Sequence, residues 1–318
     1  MALMAPGSST RLDWLLFVLL GFFWGSSYLF IKIGVEAGLQ PFTLVAMRLF
    51  FGVLLLGTIV AVAREALPRE RRMYGHLAVL GLFSVALPFM LITWAETHVD
   101  SSLAAVLTGA VPLFVIPIAA LLLPAEKITA NAIVGILIGL VGVAVVVGFN
   151  PATLTGTELV PQLALIGAAA SYALGGVYAR RNVRGLRPMI PALFQVSFAL
   201  VLTAIPALLV ERPLEGTLTL EAFLAVLWLG LIGSGAAYLI FFRLLQNWGA
   251  TRTSLVAYLL PIWGIVLGAL VLAEPIDARL LAGTALVIAG IGLVNMRGSV
   301  RDAWRRRPAP TPTAAPEG

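Results

Sequence analysis

The tetrapeptide GLQP at Gly38–Pro41 returns as GLRP at Gly185–Pro188, 147 residues later. LAVL at Leu77–Leu80 recurs at Leu224–Leu227 with the same offset. Further along, Pro112 in AVPLFVIP answers Pro261 in LLPIWG at an offset of 149, the pair Ala125–Glu126 answers Ala273–Glu274, and Gly135 and Gly142 answer Gly283 and Gly290. One such match among apolar residues carries no weight. Several in order at a nearly constant spacing mark a chain written twice.

What each copy contains follows from composition. Of the 318 residues, 60% are hydrophobic and 11% charged, and mean hydropathy is +1.00, whereas soluble domains run at about 25% charged. A bilayer is the consistent solvent, and runs of about 20 apolar residues read as spanning helices. Ten such runs fall at 12–33, 41–63, 77–95, 103–123, 128–149, 159–179, 190–210, 222–245, 253–273 and 279–296. The first is too long for a signal-peptide core and ends in a poor cleavage site, so it reads as a helix. Five spans per copy is an odd number, so the second copy enters the membrane from the opposite face. The expected fold is an all-α membrane protein of ten transmembrane helices in two inverted five-helix repeats, which is the plan of alternating-access transporters. The expected divisions are a tail at 1–10, a first repeat at 11–150, a second at 158–297 and a basic, Pro-rich, disordered tail at 298–318.

The net charge of +6 reads here as loop charge, not as a nucleic-acid surface, and no nucleic-acid partner is expected. With the N-terminus in the cytoplasm, 17 of the 21 basic residues fall on the inner side, from Arg11 through Arg64, Arg71 and Arg180 to Arg307. Lys32, Arg212 and Arg279 fall outside, and Arg48 lies within a span. The positive-inside rule then predicts both termini in the cytoplasm of an inner (plasma) membrane protein. The chain has no cysteine, so disulfides, thiol chemistry and Cys-ligated metals are excluded.

On these residues the chain resembles the drug/metabolite transporter superfamily, specifically the ten-helix EamA family of permeases. The resemblance rests on FFWGSSYLFIK (Phe22–Lys32), PFTLVAMR (Pro41–Arg48), NWGATRTSLVAYLLPIWGIVLGALVLAEPI (Asn247–Ile276) and GTALVIAGIGLV (Gly283–Val294), and covers residues 12 to 296. It implies a central cavity lined mainly by helices 1, 3, 4, 6, 8 and 9, and movement of small metabolites. Its motifs are architectural and do not name a substrate.

Within that frame, proline-broken helices in corresponding places of the two halves point to a transport site. Pro112, with Thr108 one turn earlier, and Pro261 are the pair. Trp24, Ser27 and Tyr28 share one face of helix 1 at i, i+3 and i+4. Ser171 and Tyr172 sit on helix 6, Ser171 as the repeat mate of Trp24, and Trp94, Tyr238 and Tyr258 complete the expected cavity. Such walls suit flat or amphipathic organic ligands. Arg48 and its repeat mate Gln195, together with Glu96, read as structural or gating polar groups, with Arg48 hydrogen-bonded to freed carbonyls or to Glu96. Glu126 and Glu274 read as cap or loop residues. The glycines of helices 5 and 10 read as scaffold, or as the surface of a homodimer.

The sequence therefore predicts a secondary transporter, an exporter of amino acids or related metabolites, monomeric or dimeric. Its partners are lipid and a small-molecule substrate, moved either with protons through Glu96 or by facilitated diffusion; it needs no cofactor or metal. A sugar- or nucleotide-type permease and a drug efflux protein are the alternatives within the superfamily. An intramembrane enzyme is the remote one: there is no HExxH, and Ser234 in IGSG has no histidine inside a span to act as its base.

Overall fold

A computed structural model of the chain describes residues 11–122, 129–148, 159–183, 185–211 and 218–295. The terminal tails, the 123–128 segment with Glu126, the 149–158 linker and Arg212 lie outside the described residues. Among the described residues there is no strand. The helices are α1 (Arg11–Glu36), α2 (Pro41–Val62), α3 (Arg71–Ala95), α4 (Ser101–Leu122), α5 (Ala130–Val147), α6 (Leu159–Asn182) and α7 (Met189–Glu211). They continue with α8 from Leu220 through a π-helical stretch to Thr253, α9 (Leu259–Val271) behind a 3₁₀ turn at Ser254–Tyr258, and α10 (Ala278–Asn295). The first eight are long and apolar enough to cross a bilayer; the last two are shorter apolar helices.

Helix packing obeys the repeat. With a five-helix offset, α1 against α9 corresponds to α6 against α4, and α1 against α8 to α6 against α3. The pairs α2–α7, α5–α10 and α4–α9 map onto themselves, and every one of these contacts is present. Local backbone repeats as well. Gly38 and Gly185, the first residues of GLQP and GLRP, both take positive φ (93° and 77°), a conformation glycine adopts without the Cβ clash that other residues suffer. At Gly38 this turns the chain out of α1, and Pro41 then starts α2 with the fixed φ suited to a first helical position.

Two irregularities also recur at the repeat spacing. α3 contains a π-helical turn at Leu82–Ala86 and α8 a longer one at Leu229–Ala236. A π turn leaves carbonyls outside the regular ladder, and neighbouring hydroxyls take them: Ser171 Oγ donates to Phe83 O at 2.8 Å and Tyr238 Oη to Ser84 O at 3.3 Å. The proline breaks meet each other. α4 is interrupted at Ala110, ahead of Pro112, and a Cβ on Gly109 would stand 2.8 Å from the Pro261 ring.

The glycine faces of α5 and α10 are spent on each other inside the chain, which corrects their reading as a dimer surface. A Cβ at Gly290 would lie 2.5 Å from Gly139 N and 2.6 Å from Gly135 O, and one at Gly142 would lie 2.6 Å from Val287 N. Backbones approach this closely only where side chains are absent.

Candidate functional site

A cavity of about 920 Å³ runs through the middle of the bundle. Trp24, Ser27 and Tyr28 line it from α1, as their shared face requires, and Thr108 and Pro112 from α4, Tyr172 from α6 and Tyr238 from α8. Arg48 of α2 and Gln195 of α7 also line it, so the helix pair that sequence reasoning left outside the wall is part of it. Trp24 meets Tyr238 edge to face at 5.9 Å between ring centroids and Phe241 at 5.3 Å. The result is an aromatic wall shared by both halves of the chain.

Four expected residues lie elsewhere. Ser171 is turned to the π turn of α3 by its bond to Phe83 O. Trp94 lines a small separate pocket with Gln40, Phe42 and Glu211, and its ring packs on His98. Pro261 is occupied by its contact with Gly109, and Tyr258 ends the 3₁₀ turn beside Gly292. None of the four is on the cavity wall.

The chamber is asymmetric along its axis. It extends past Arg180 and Gly185–Pro188 at the end of the bundle that carries Arg64, Arg71, Arg180 and Arg187, here termed the Arg-rich end. Toward the other end its wall includes Ile31 and Ile92, and there Tyr28 Oη meets Thr108 Oγ1 at 2.6 Å, joining α1 to α4. Beyond that bond lies a polar cluster. Lys32 Nζ donates to Glu96 O at 3.1 Å and Val99 O at 3.0 Å, fastening α1 to the chain leaving α3. Glu274, just past α9, accepts from Ser101 N (2.8 Å), Ser101 Oγ (2.7 Å) and Ser102 N (2.9 Å). It caps α4 from the other half of the chain, satisfying orphan N–H groups and meeting the positive end of the helix dipole. The expectation of a capping role for Glu274 thus acquires a partner.

Sequence reasoning missed a second cap of the same kind. Glu211, at the end of α7, accepts from Phe42 N (2.9 Å), Thr43 N (2.6 Å) and Thr43 Oγ1 (2.8 Å) at the start of α2. The only trace in sequence is an α2 N-terminus with no acid in its own first turn. The symmetry-related contact, at the Arg-rich end, joins Glu65 behind α2 to Arg187 ahead of α7.

Arg48 is 2% exposed. Its Nε donates to Ser234 Oγ at 3.3 Å, and its guanidinium carbon lies 4.2 Å from the centroid of the Phe89 ring. Neither of the partners expected for it, a freed carbonyl or the Glu96 carboxylate, is the one it takes, because the π turn of α8 brings Ser234 alongside α2. Ser234 is thereby matched with a cation in place of a base. The histidines are also engaged elsewhere: His76 Nδ1 lies 2.7 Å from Tyr178 Oη, and His98 Nδ1 lies 2.7 Å from Thr97 Oγ1. Glu96, buried just past α3, has neither carboxyl oxygen hydrogen-bonded, and does not line the chamber.

Known proteins repeat this plan. A solved crystal structure superposes with a TM-score of 0.65 at 21% identity, over 93% of this chain and 99% of the other, which establishes the shared fold. An uncharacterized transporter of Archaeoglobus fulgidus is 28% identical over 88% of this chain and 98% of its own length. The uncharacterized inner membrane transporter YedA of Escherichia coli K12 is 31% identical over 77% and 78%, and protein PagO of Salmonella typhimurium 28% identical over 80% and 83%. The model of the EamA-like transporter family matches twice, over residues 13–148 and 160–296, once in each half, and this multi-pass membrane protein belongs to that family.

Proposed function

We propose that the chain is a secondary transporter of the inner membrane that exports amino acids or related small metabolites by alternating access. The observation that carries the reading is a chamber walled by both halves of a pseudo-symmetric bundle, continuous with one end and shut by hydrogen bonds at the other. A duplicated fold of inverted halves has two related ways to open, one toward each face of the membrane.

With the Arg-rich end in the cytoplasm, as its charge favours, this is an inward-open state, ready to load a substrate for export. The aromatic wall suits a ligand with a flat or apolar body. Glu96 is the proposed carrier for proton coupling, since a buried carboxyl without hydrogen bonds favours its protonated form. No catalytic role is proposed for Ser234.

The test is flux into liposomes holding the purified chain, with a panel of labelled amino acids and related metabolites, alongside tolerance of cells to amino-acid analogues with the gene overexpressed or deleted. Export predicts higher tolerance on overexpression and lower tolerance on deletion. Flux of no compound, with tolerance unchanged, refutes the reading.

A further inference from the structure

We propose that the chamber selects an organic monocarboxylate with an apolar or aromatic body, its carboxylate held by Arg48, in preference to amines and zwitterions. The inference rests on the transporter reading above and narrows its substrate class, for the same chamber, from amino acids to the related metabolites that carry a carboxylate and no ammonium.

Arg48 brings five N–H donors into the bundle. Among the described residues its side chain uses one of them, Nε to Ser234 Oγ, while one ring, Phe89, covers a face. No described carboxylate pairs with it, and its terminal nitrogens are not among the side-chain atoms sealed off without a partner. They open on the chamber that the residue lines. A buried cation is strongly destabilising unless an anion or several acceptors meet it. A hydroxyl and a ring fall short of that, though both hold the guanidinium in place.

Gln195 supplies no counter-charge to Arg48. It is 1% exposed, it lines the same chamber, and its Nε2 has no acceptor. It is the repeat mate of Arg48 on the partner helix α7, and α2 and α7 pack against each other. Gln195 Nε2 is sealed from the cavity, whereas the Arg48 terminal nitrogens are not. A carboxylate answers Arg48, with paired oxygens suited to the guanidinium fork. One cation in the deep part of the chamber matches one negative charge, not a di- or triphosphate.

The remaining charge points the same way. Among the described residues no Asp or Glu lines the chamber. A ligand ammonium therefore meets no described counter-charge on the wall and a like charge at Arg48. A carboxylate is held by Arg48, while Trp24, Tyr238 and Phe241 cover its apolar body.

Four probes with one body separate charge from shape: N-acetylphenylalanine (anion), phenylalanine (zwitterion), N-acetylphenylalaninamide (neutral) and phenylalaninamide (cation). Binding of each labelled compound to the full-length purified protein is measured by equilibrium dialysis. N-acetylphenylalanine is expected to bind about 10- to 100-fold tighter than the neutral amide, the scale of hydrogen bonds to a charged group, with phenylalanine weaker than the anion and the cation weakest. Arg48→Gln abolishes the preference, Arg48→Lys keeps part of it, and Trp24→Ala weakens all four while preserving their order.

The inference is overturned if the neutral amide, the zwitterion or the cation binds as well as the anion, or if folded Arg48→Gln keeps the wild-type ranking. Should Arg48→Gln fail to fold, the wild-type ranking alone decides. Binding of none of the four also overturns it; the transporter reading then stands if the liposome panel shows flux, and falls with it if the panel shows none.

Discussion

Replacing Glu274 with alanine removes, in one step, the acceptor of three hydrogen bonds that reach from the second half of the chain to the start of α4. Each hydrogen bond to a charged group is worth about 1.5–3 kcal/mol net. Because the three share one carboxylate and water enters when it leaves, a loss of about 2–4 kcal/mol for the closed arrangement is the working figure. At 1.4 kcal/mol per decade, that multiplies the open population at this end by about 30- to 700-fold. The chain contains no cysteine, so a single introduced thiol reports accessibility without background. Ile31→Cys places it on the chamber wall, one residue before Lys32 and 3% exposed. With a membrane-impermeant maleimide added on the Glu274 side alone, labelling is slow in this background and accelerates by about 30- to 700-fold when Glu274→Ala is added. Glu274→Gln, which keeps one acceptor oxygen, falls between. An unchanged rate in a folded double variant would show that Glu274 does not hold this end shut.

Three further outcomes follow from the same structure. Trp24→Ala removes the ring that meets Tyr238 and Phe241; transport falls by about tenfold or more while membrane insertion is unchanged, the loss of one aromatic contact and its buried area, and unaltered flux across the panel refutes its place in binding. Gly290→Leu drives a side chain into the backbone of α5, starting 2.5 Å from Gly139 N. Overpacking of this kind costs about 3 kcal/mol or more, read as a lowered unfolding temperature in detergent, and wild-type stability would contradict the close approach. Acidity should favour the closed end. Burial first pushes the Glu96 carboxyl well above its usual range, with Lys32 pulling it down, Glu274 pushing it up and Arg48 pulling it down. Burial also raises Asp100, as do Glu274 and Glu36, against Lys32. A carboxyl raised in the closed state binds its proton more tightly there than when water reaches it, so closure is favoured at low pH and lost as pH rises through the raised values. Labelling of Ile31→Cys, taken relative to a freely exposed thiol at each pH to remove the thiolate's own titration, slows on acidification, and Glu96→Gln flattens the profile; faster relative labelling in acid reverses the sign and refutes it.

The repeat was legible because it is written in backbone-determining residues. Gly38 and Gly185 needed positive φ, Pro112 and Pro261 needed broken helices, and the α5 and α10 glycines needed a close neighbour, so each left a mark in sequence. Contacts that depend on distant partners left none. Glu211 and Glu274 reach helix starts 168 and 173 residues away, and nothing near either residue names its target. The π turns were also invisible, since periodicity does not register one extra residue in a helix. Their consequences misdirected two expectations: Ser171 turned to a freed carbonyl of α3, and Arg48 found Ser234. Tyr172, next to Ser171, stayed on the chamber wall because a single step along a helix turns a side chain by about 100°.

The glycine seam between α5 and α10 also bears on the order in which the protein is made. α5 closes the first half and α10 the second, so the α5 face has no partner until roughly 150 further residues have been synthesised. At about 5–20 residues per second, the face waits on the order of ten to thirty seconds in the membrane. The first five helices are thus laid down as an unfinished module whose last backbone contact arrives with the last helix. A chain cut short before α10 leaves that face open to stray helices and to proteolytic surveillance, which makes the final span a checkpoint for completeness.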